Sequence, residues 1–321
     1  MEKIKLHNTD LTVSEICLGT VNYGSHYSKE ESCLQMNTFL EAGGNFLDTA
    51  LVYGDWGNEK SSSEKIIGQF LKEKQARSKV VLSTKGCHPF LETMHISRMN
   101  VECLGEDVER SLRHLQTDYI DLLYVHWPNA GIPITETLGE FIKLKEEGKI
   151  RAIGVSNFSL EQLKEAMEIT HIDALQPEYN LLQRKIEDGL LSYCADNQIS
   201  VLSYNSIAKG ILSGVFHFNG VKLDAEDFRN EKPLFFPENL ETEKPLMNSL
   251  KAVAQVHNGT ISQIAAAWVL AQRGMSSAII GTQNPRHFVE NIHSVDIELT
   301  QEEIDVLNKT SSEVIGKLIG V

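Results

Sequence analysis

The feature that most constrains this chain is a rhythm. Short β-rich apolar runs alternate with amphipathic segments from end to end. Runs at 15–18, 46–47, 80–83, 120–125, 151–155, 174–175, 200–203 and 277–280 read as eight core strands. Amphipathic segments at 29–41, 62–74, 104–115, 134–147, 160–170 and 186–197 read as the helices that follow the first six. Further helices are expected near 243–256, at 261–271 and 285–293, and at the C-terminal end, 301–312. Strand–helix repeats imply parallel strands joined by right-handed crossovers. Eight such units close into a (β/α)8 TIM barrel. A doubly wound sheet is the alternative, but it usually has fewer strands and a G-x-G-x-x-G turn after the first. Here the first turn reads LGTVNYG, without that spacing. Residues 3–6 and 11–13 flank a polar turn and read as an N-terminal β-hairpin. Nothing resembles an interdomain linker, so residues 1–321 read as one barrel domain with long loops at its C-terminal face.

Composition narrows the function classes. The net charge is −14, which opposes binding to phosphate backbones and argues against a nucleic-acid partner. An anionic small molecule is still compatible, through backbone amides or one or two cations. The five cysteines, Cys17, Cys33, Cys87, Cys103 and Cys194, are scattered and form no C-x-x-C pair, which fits a reducing compartment. The start, MEKIKLHNTD, has no apolar signal core, and no run of about 18 apolar residues exists to span a membrane. A soluble, cytoplasmic protein is expected. Oligomeric state is not legible.

A barrel of this kind carries its chemistry at the C-terminal ends of its strands. The polar residues there are Thr20, Asp48 with Tyr53 in the next loop, Lys85, His126, Ser156–Asn157, Gln176, Tyr204 and Gly281–Thr282. Each has an ordinary structural role open to it. Asp48 can cap a turn, Tyr53 can sit at the rim, Lys85 can be a solvated loop lysine, and His126 a hydrogen-bonded core histidine. Together they suit one task. Lys85 follows VVLST and His126 follows IDLLYV, so both leave buried strands and need partners. Asp48 can hold the Lys85 ammonium, the ammonium can stabilise a Tyr53 phenolate and so lower the phenol pKa, and His126 can donate to the same substrate oxygen. A carbonyl placed there is polarised and protonated. No redox-active group is present in such a set, so the hydride must come from a cofactor; no metal is called for.

At this point the motifs are distinctive. LGTVNYG at 18–24, NFLDTALVYG at 45–54 and SSEKIIG at 62–68 are followed by STKG at 83–86 and DYIDLLYVHWP at 118–128. GKIRAIGVSNF at 148–158, LQPEYNLLQR at 175–184 and VEN at 289–291 complete the series. In this order the chain resembles the aldo-keto reductases over nearly its whole length. The resemblance implies an NAD(P)H-dependent reduction of an aldehyde or ketone, with Asp48, Tyr53, Lys85 and His126 as catalytic tetrad and Tyr53 as proton donor. It also implies Ser156, Asn157 and Gln176 against the nicotinamide carboxamide, Tyr204 stacked on the ring, and Thr20 nearby.

The chain departs from the family pattern in two places. After the seventh strand, Asn205 and Ser206 replace a serine and proline-led stretch. Gly210, Leu212 and Ser213 still fit a loop whose amides meet a pyrophosphate, and Lys209 can add charge. After the eighth strand, Gly281, Thr282, Gln283 and Arg286 occupy the adenosine end, with Glu290 and Asn291 at the adenine. Gln283 is uncharged where relatives often carry a cation, which weakens the case for a 2′-phosphate; Arg286 is the candidate substitute. NADP(H) stays favoured over NAD(H) on what the resemblance implies more than on these residues. The substrate side is expected from 87–99, 128–133 and 206–240, including Phe216, His217, Phe218, Phe228, Phe235 and Phe236, with Trp56 and Trp127. Cys87 reads as structural. Two other functions remain open at this stage: a Schiff-base aldolase-type barrel using Lys85, and a cofactor-binding regulatory module.

Overall fold

The computed structural model describes residues 1–54, 61–87, 101–128, 131–282 and 285–321, excluding the side chains of residues 101, 102, 285 and 286. Strands β1 (Lys3–Lys5) and β2 (Thr12–Ser14) form the antiparallel hairpin, with Ile4 opposite Val13. The eight barrel strands are β3 (Ile16–Gly19), β4 (Phe46–Asp48), β5 (Val81–Gly86), β6 (Ile120–Val125), β7 (Ile150–Ser156), β8 (Ala174–Gln176), β9 (Ser200–Ser203) and β10 (Met275–Ile280). All pair in parallel, in chain order, and β10 closes the ring onto β3. Between and after them run α1 (Lys29–Glu41), α2 (Ser62–Glu73), α3 (Val101–Leu115), α4 (Ile134–Glu146), α5 (Leu160–Ile169) and α6 (Leu190–Asp196). The chain continues with α7 (Val215–Phe218), α8 (Pro237–Val256), α9 (Ile261–Leu270), α10 (Pro285–Asn291) and α11 (Gln301–Ile315).

Two packed regions follow from the period-2 geometry of the strands. One set of side chains packs outward under the helices, Leu82, Leu123, Ile153 and Val201 among them. The other set fills the barrel: Cys17, Phe46, Val81, Leu122, Tyr124, Ala152, Ala174, Leu202 and Ile279. Leu6, Leu11 and Val13 from the hairpin join this inner set and plug the barrel's N-terminal end. Gly154 gives the ring of Tyr124 its room, since a Cβ there would lie 2.4 Å from that ring. The interior is therefore apolar at the bottom, and polar residues of the same faces, such as Asp48 two positions beyond Phe46 and Gln176 two beyond Ala174, are lifted to the top.

Two helices differ from expectation. The segment 186–197 is a 3-10 turn, Lys185–Glu187, and then α6, separated by Gly189 at φ +93°. Apolar periodicity runs through the break, because the left-handed glycine redirects the backbone while leaving Ile186 and Leu190 on the core side. Helix α8 begins six residues before 243, because Pro237 sits in its first turn, where the missing N–H has no intrahelical partner to lose.

Candidate active site

A cavity of about 760 Å3 opens at the C-terminal end of the barrel, within the range of about 300–1,000 Å3 usual for small-molecule sites. Its floor is a connected polar cluster. Asp48, at the end of β4, receives three donors. Lys85 Nζ lies 2.6 Å from Oδ2, while Ser83 Oγ at 2.8 Å and Gln176 Nε2 at 2.9 Å share Oδ1. Lys85 also donates to the Thr49 carbonyl at 2.8 Å. Val81, Ser83 and Lys85 stand on one face of β5, so the strand presents an apolar, a hydroxyl and an ammonium group in rising order towards the cavity.

Tyr53 lies above this pair. The Lys85 ammonium sits 4.8 Å from its ring centre. The His126 ring meets it edge-on, centroids 6.1 Å apart at 73°. Asp48, Tyr53 and His126 line the cavity; Lys85 is only 2 % exposed and acts from beneath. Burial alone lowers the Lys85 pKa, but the charges of Asp48 and Tyr53 and the hydrogen bond to Asp48 outweigh it, and the ammonium is held above its ordinary value. Tyr53 corrects a sequence expectation. Its pKa is raised overall, because burial outweighs the downward pull of Lys85, and Asp48 adds to the rise.

The remaining polar residues gather at the same end. Ser159 caps α5 through a capping box with Gln162, so Ser156 and Asn157 are not needed there. Asn157 takes φ +63° and turns its amide into the site. Its Nδ2 donates to the His126 carbonyl at 3.0 Å and to Ser156 Oγ at 3.1 Å, and its Oδ1 accepts from Tyr204 Oη at 2.7 Å. Ser156 donates to the Gln176 carbonyl. These side chains hold one another, and a bound amide must exchange bonds with them. Burial holds the Tyr204 phenol well above its ordinary value.

Of the sequence-expected cofactor residues, Thr20, Ser156, Asn157, Gln176, Tyr204, Ser206, Gly210, Ser213, Gly281, Thr282, Glu290 and Asn291 all line the cavity. Leu212 does not. Its side chain is fully buried in the helix-side core. The amides of Gly210 and Leu212 both donate to the Ile207 carbonyl, so neither is aimed at a ligand. Gln283, Trp56, most of 87–99 and residues 129–130 lie outside the described residues, as does the side chain of Arg286. The phenylalanines divide: Phe216 and Phe228 line the cavity, Phe235 stacks edge-on beneath Phe216 at 5.2 Å, and Phe218 and Phe236 are partly exposed. Trp127 lines the cavity while 45 % exposed. His217 instead pairs with Glu243, 2.9 Å away, both fully buried. Cys87 is buried, and burial pushes its thiol pKa up, as an inert structural cysteine requires.

Three residues escaped sequence reasoning. Asn22 lines the cavity and donates to the Thr282 carbonyl at 2.8 Å, tying the first loop to the last. Arg229, far along the loop after β9, reaches the wall. It is braced by Asp227 and the Lys209 carbonyl and lies over the Phe216 and Phe235 rings. No local pattern marks it, because its position depends on how that loop folds back. Ser83 was legible, since it stands two residues before Lys85 on the same strand face.

The fold and this cluster define a barrel oxidoreductase site. Comparison with known proteins places it. The Aldo/keto reductase family model matches residues 15–311. An aldo-keto reductase of Bacillus subtilis is 34% identical over 325 residues, covering 100% of this chain and 96% of that protein. The NADH-specific methylglyoxal reductase of Escherichia coli is 32% identical over 329 residues, covering 96% and 98%. Among solved structures, the glycerol dehydrogenase from Gluconobacter oxydans superposes with a TM-score of 0.87 at 30% identity, covering 99% of this chain and 98% of that one. The chain belongs to the aldo-keto reductase family. It is an NAD(P)-dependent oxidoreductase of small carbonyl compounds.

Proposed function

We propose that Tyr53 delivers the proton to the substrate oxygen, with Lys85 and Asp48 as its charge support and His126 as the second donor. One observation carries this reading: the buried Lys85–Asp48 pair lies directly beneath the only phenol that faces both an ammonium and an imidazole, among the described residues at the cavity floor. The nicotinamide cofactor supplies or accepts the hydride. A phenol held above its ordinary value stays protonated at neutral pH and is ready to donate; in the reverse direction it must first ionise, and there the Lys85 ammonium matters most. The raised Lys85 pKa opposes a Schiff-base role, which requires a neutral amine. The tetrad's intact geometry favours catalysis over a purely regulatory cofactor-binding module.

The residues present fit a dinucleotide. Ser156, Asn157 and Gln176 make an uncharged polar end suited to a carboxamide, and Tyr204 offers an aromatic face beside it. Lys209 and Arg229, paired with Glu178 and Asp227, reach the wall formed by the loop after β9 and are the cations placed to meet an anionic diphosphate. NADP(H) is the preferred form in this reading, with Arg286 in the first turn of α10 meeting the 2′-phosphate. The relative named as NADH-specific makes that preference the first property to measure. The substrate is a small aldehyde or ketone taken against Trp127 and the aromatic wall of Phe216 and Phe228. No described helix is long and apolar enough to cross a membrane, which is compatible with residues 1–321 working as one barrel domain in the cytoplasm.

Tyr53→Phe tests the core of this reading. It removes one oxygen and leaves the fold. The expected result is a kcat loss of about 10²-fold or more in aldehyde reduction, the scale of one general acid, with cofactor Kd unchanged. Undiminished reduction would falsify the assignment.

A further inference from the structure

We infer that Ser83 is a positioning residue for the tetrad: its hydroxyl fixes the Asp48 carboxylate so that Oδ2 is directed at Lys85. The inference rests on the reading of Tyr53 as proton donor given above. Ser83 is fully buried inside the barrel, a place that branched aliphatic side chains ordinarily fill. The position below it on β5 is apolar, Val81, and the position above is Lys85. A hydroxyl buried at that level must find an acceptor. Two are in reach: Asp48 Oδ1 at 2.8 Å and the Leu47 carbonyl at 3.4 Å. The single proton goes to the nearer and charged one.

The geometry shows what this achieves. A carboxylate on a short strand can rotate about its terminal bond, and either oxygen can then face the ammonium. Ser83 from β5 and Gln176 from β8 reach Oδ1 from two different strands, which removes that freedom. Oδ2 is left to Lys85 at 2.6 Å. The two neutral donors also draw charge towards Oδ1, away from the oxygen that competes with Tyr53 for the ammonium. Ser83 touches neither cofactor nor substrate space and is not part of the cavity lining; whatever it does for the reaction passes through Asp48 and Lys85.

The sign of the effect follows. Without Ser83, Asp48 loses one of the two donors that orient it and draw its charge to Oδ1; its less compensated charge near Tyr53 then raises the phenol pKa. Ser83→Ala should cut kcat for alcohol oxidation about three- to tenfold at neutral pH and move the rising limb of its pH–rate profile up by about half a unit to one unit. KM and cofactor Kd should stay as in the parent protein, since no cavity contact is lost. Ser83→Thr keeps the hydroxyl and should restore the profile. An unmoved profile in Ser83→Ala, or a Ser83→Thr protein of parental melting temperature that is as impaired as Ser83→Ala, overturns the inference. Failure of the wider reading looks different: Tyr53→Phe would then stay active, whereas failure of the Ser83 role alone leaves Tyr53→Phe inactive and Ser83→Ala normal.

Discussion

Replacing Lys85 by Met removes the charge on which the tetrad depends while keeping most of the side-chain volume. With the ammonium 4.8 Å from the Tyr53 ring centre, and that centre taken as the site of the phenolate charge, an effective dielectric of about 20 gives an interaction of about 3.5 kcal/mol, or about 2.5 pKa units. Some of this is recovered by relaxation and water entry, so a rise of about 2 units in the phenol pKa is expected. Alcohol oxidation uses the phenolate as base. Its rate climbs as pH rises through the Tyr53 pKa, so the ascending limb should move to higher pH by about 2 units, and the rate at a fixed pH below the limb should fall about 10²-fold. Carbonyl reduction uses the protonated phenol, and its protonation state at neutral pH is unaffected. The substitution also strands Asp48 as a buried carboxylate, at a cost of about 3–5 kcal/mol in stability. Lys85→Met combined with Asp48→Asn removes that unpaired charge and serves as the folded control. The assay is the initial rate of alcohol oxidation against pH for parent, single and double variants, with circular dichroism at each pH. Asp48 itself raises the phenol pKa, so the double variant is compared with Asp48→Asn alone: a folded double variant whose limb coincides with that of Asp48→Asn would mean that Lys85 does not stabilise the Tyr53 phenolate.

Arg286→Ala should weaken NADPH binding about tenfold to 150-fold, the value of one charge-assisted contact, and leave NADH nearly unchanged. Both constants are read from quenching of tryptophan fluorescence, to which Trp127 in the cavity wall contributes; equal losses for both cofactors would remove Arg286 from phosphate recognition. The buried Glu243 is held above its ordinary value of 4.5, because burial outweighs the opposing pull of His217. The folded chain therefore keeps a proton that the unfolded chain releases, and stability should fall as pH rises from about 4.5 through the raised value. Glu243→Gln should flatten that slope in urea midpoints compared between pH 5 and pH 8, and a slope as steep as the parent's would place its origin elsewhere.

The architecture was legible because it is written in short-range terms. The alternation of apolar runs and amphipathic segments marks the strands and helices, and strand parallelism follows from the length of each crossover. Asp48, Lys85 and His126 were recognisable for the same reason: each ends a buried strand, where an ionisable side chain needs a partner. The partnership of Lys85 with Asp48 then appears directly as the 2.6 Å contact. The loop after β9 was far less legible. Leu212 reads there as a ligand-facing loop residue, yet it is core, and Arg229, which no local pattern marks, reaches the cavity. Positive φ values at Asn205, Ala208, Lys209 and Gly210 send the chain through turns that side-chain periodicity does not encode.

Sequence alone determined the barrel and the need for a hydride-carrying cofactor, through residue type and local spacing. It brought forward Asp48, Tyr53, Lys85 and His126 as the candidate tetrad through their places at the strand ends together with the family resemblance. The tertiary structure decided which of two opposed effects controls Tyr53. The sequence supplies both the ammonium that lowers the phenol pKa and the apolar strands that bury it, and says nothing of their relative strength. Closure of the barrel sets that balance, because only the packed interior determines how much water the phenol loses. It also determines how the Asp48 oxygens are divided between Lys85 and Ser83 of β5 and Gln176 of β8.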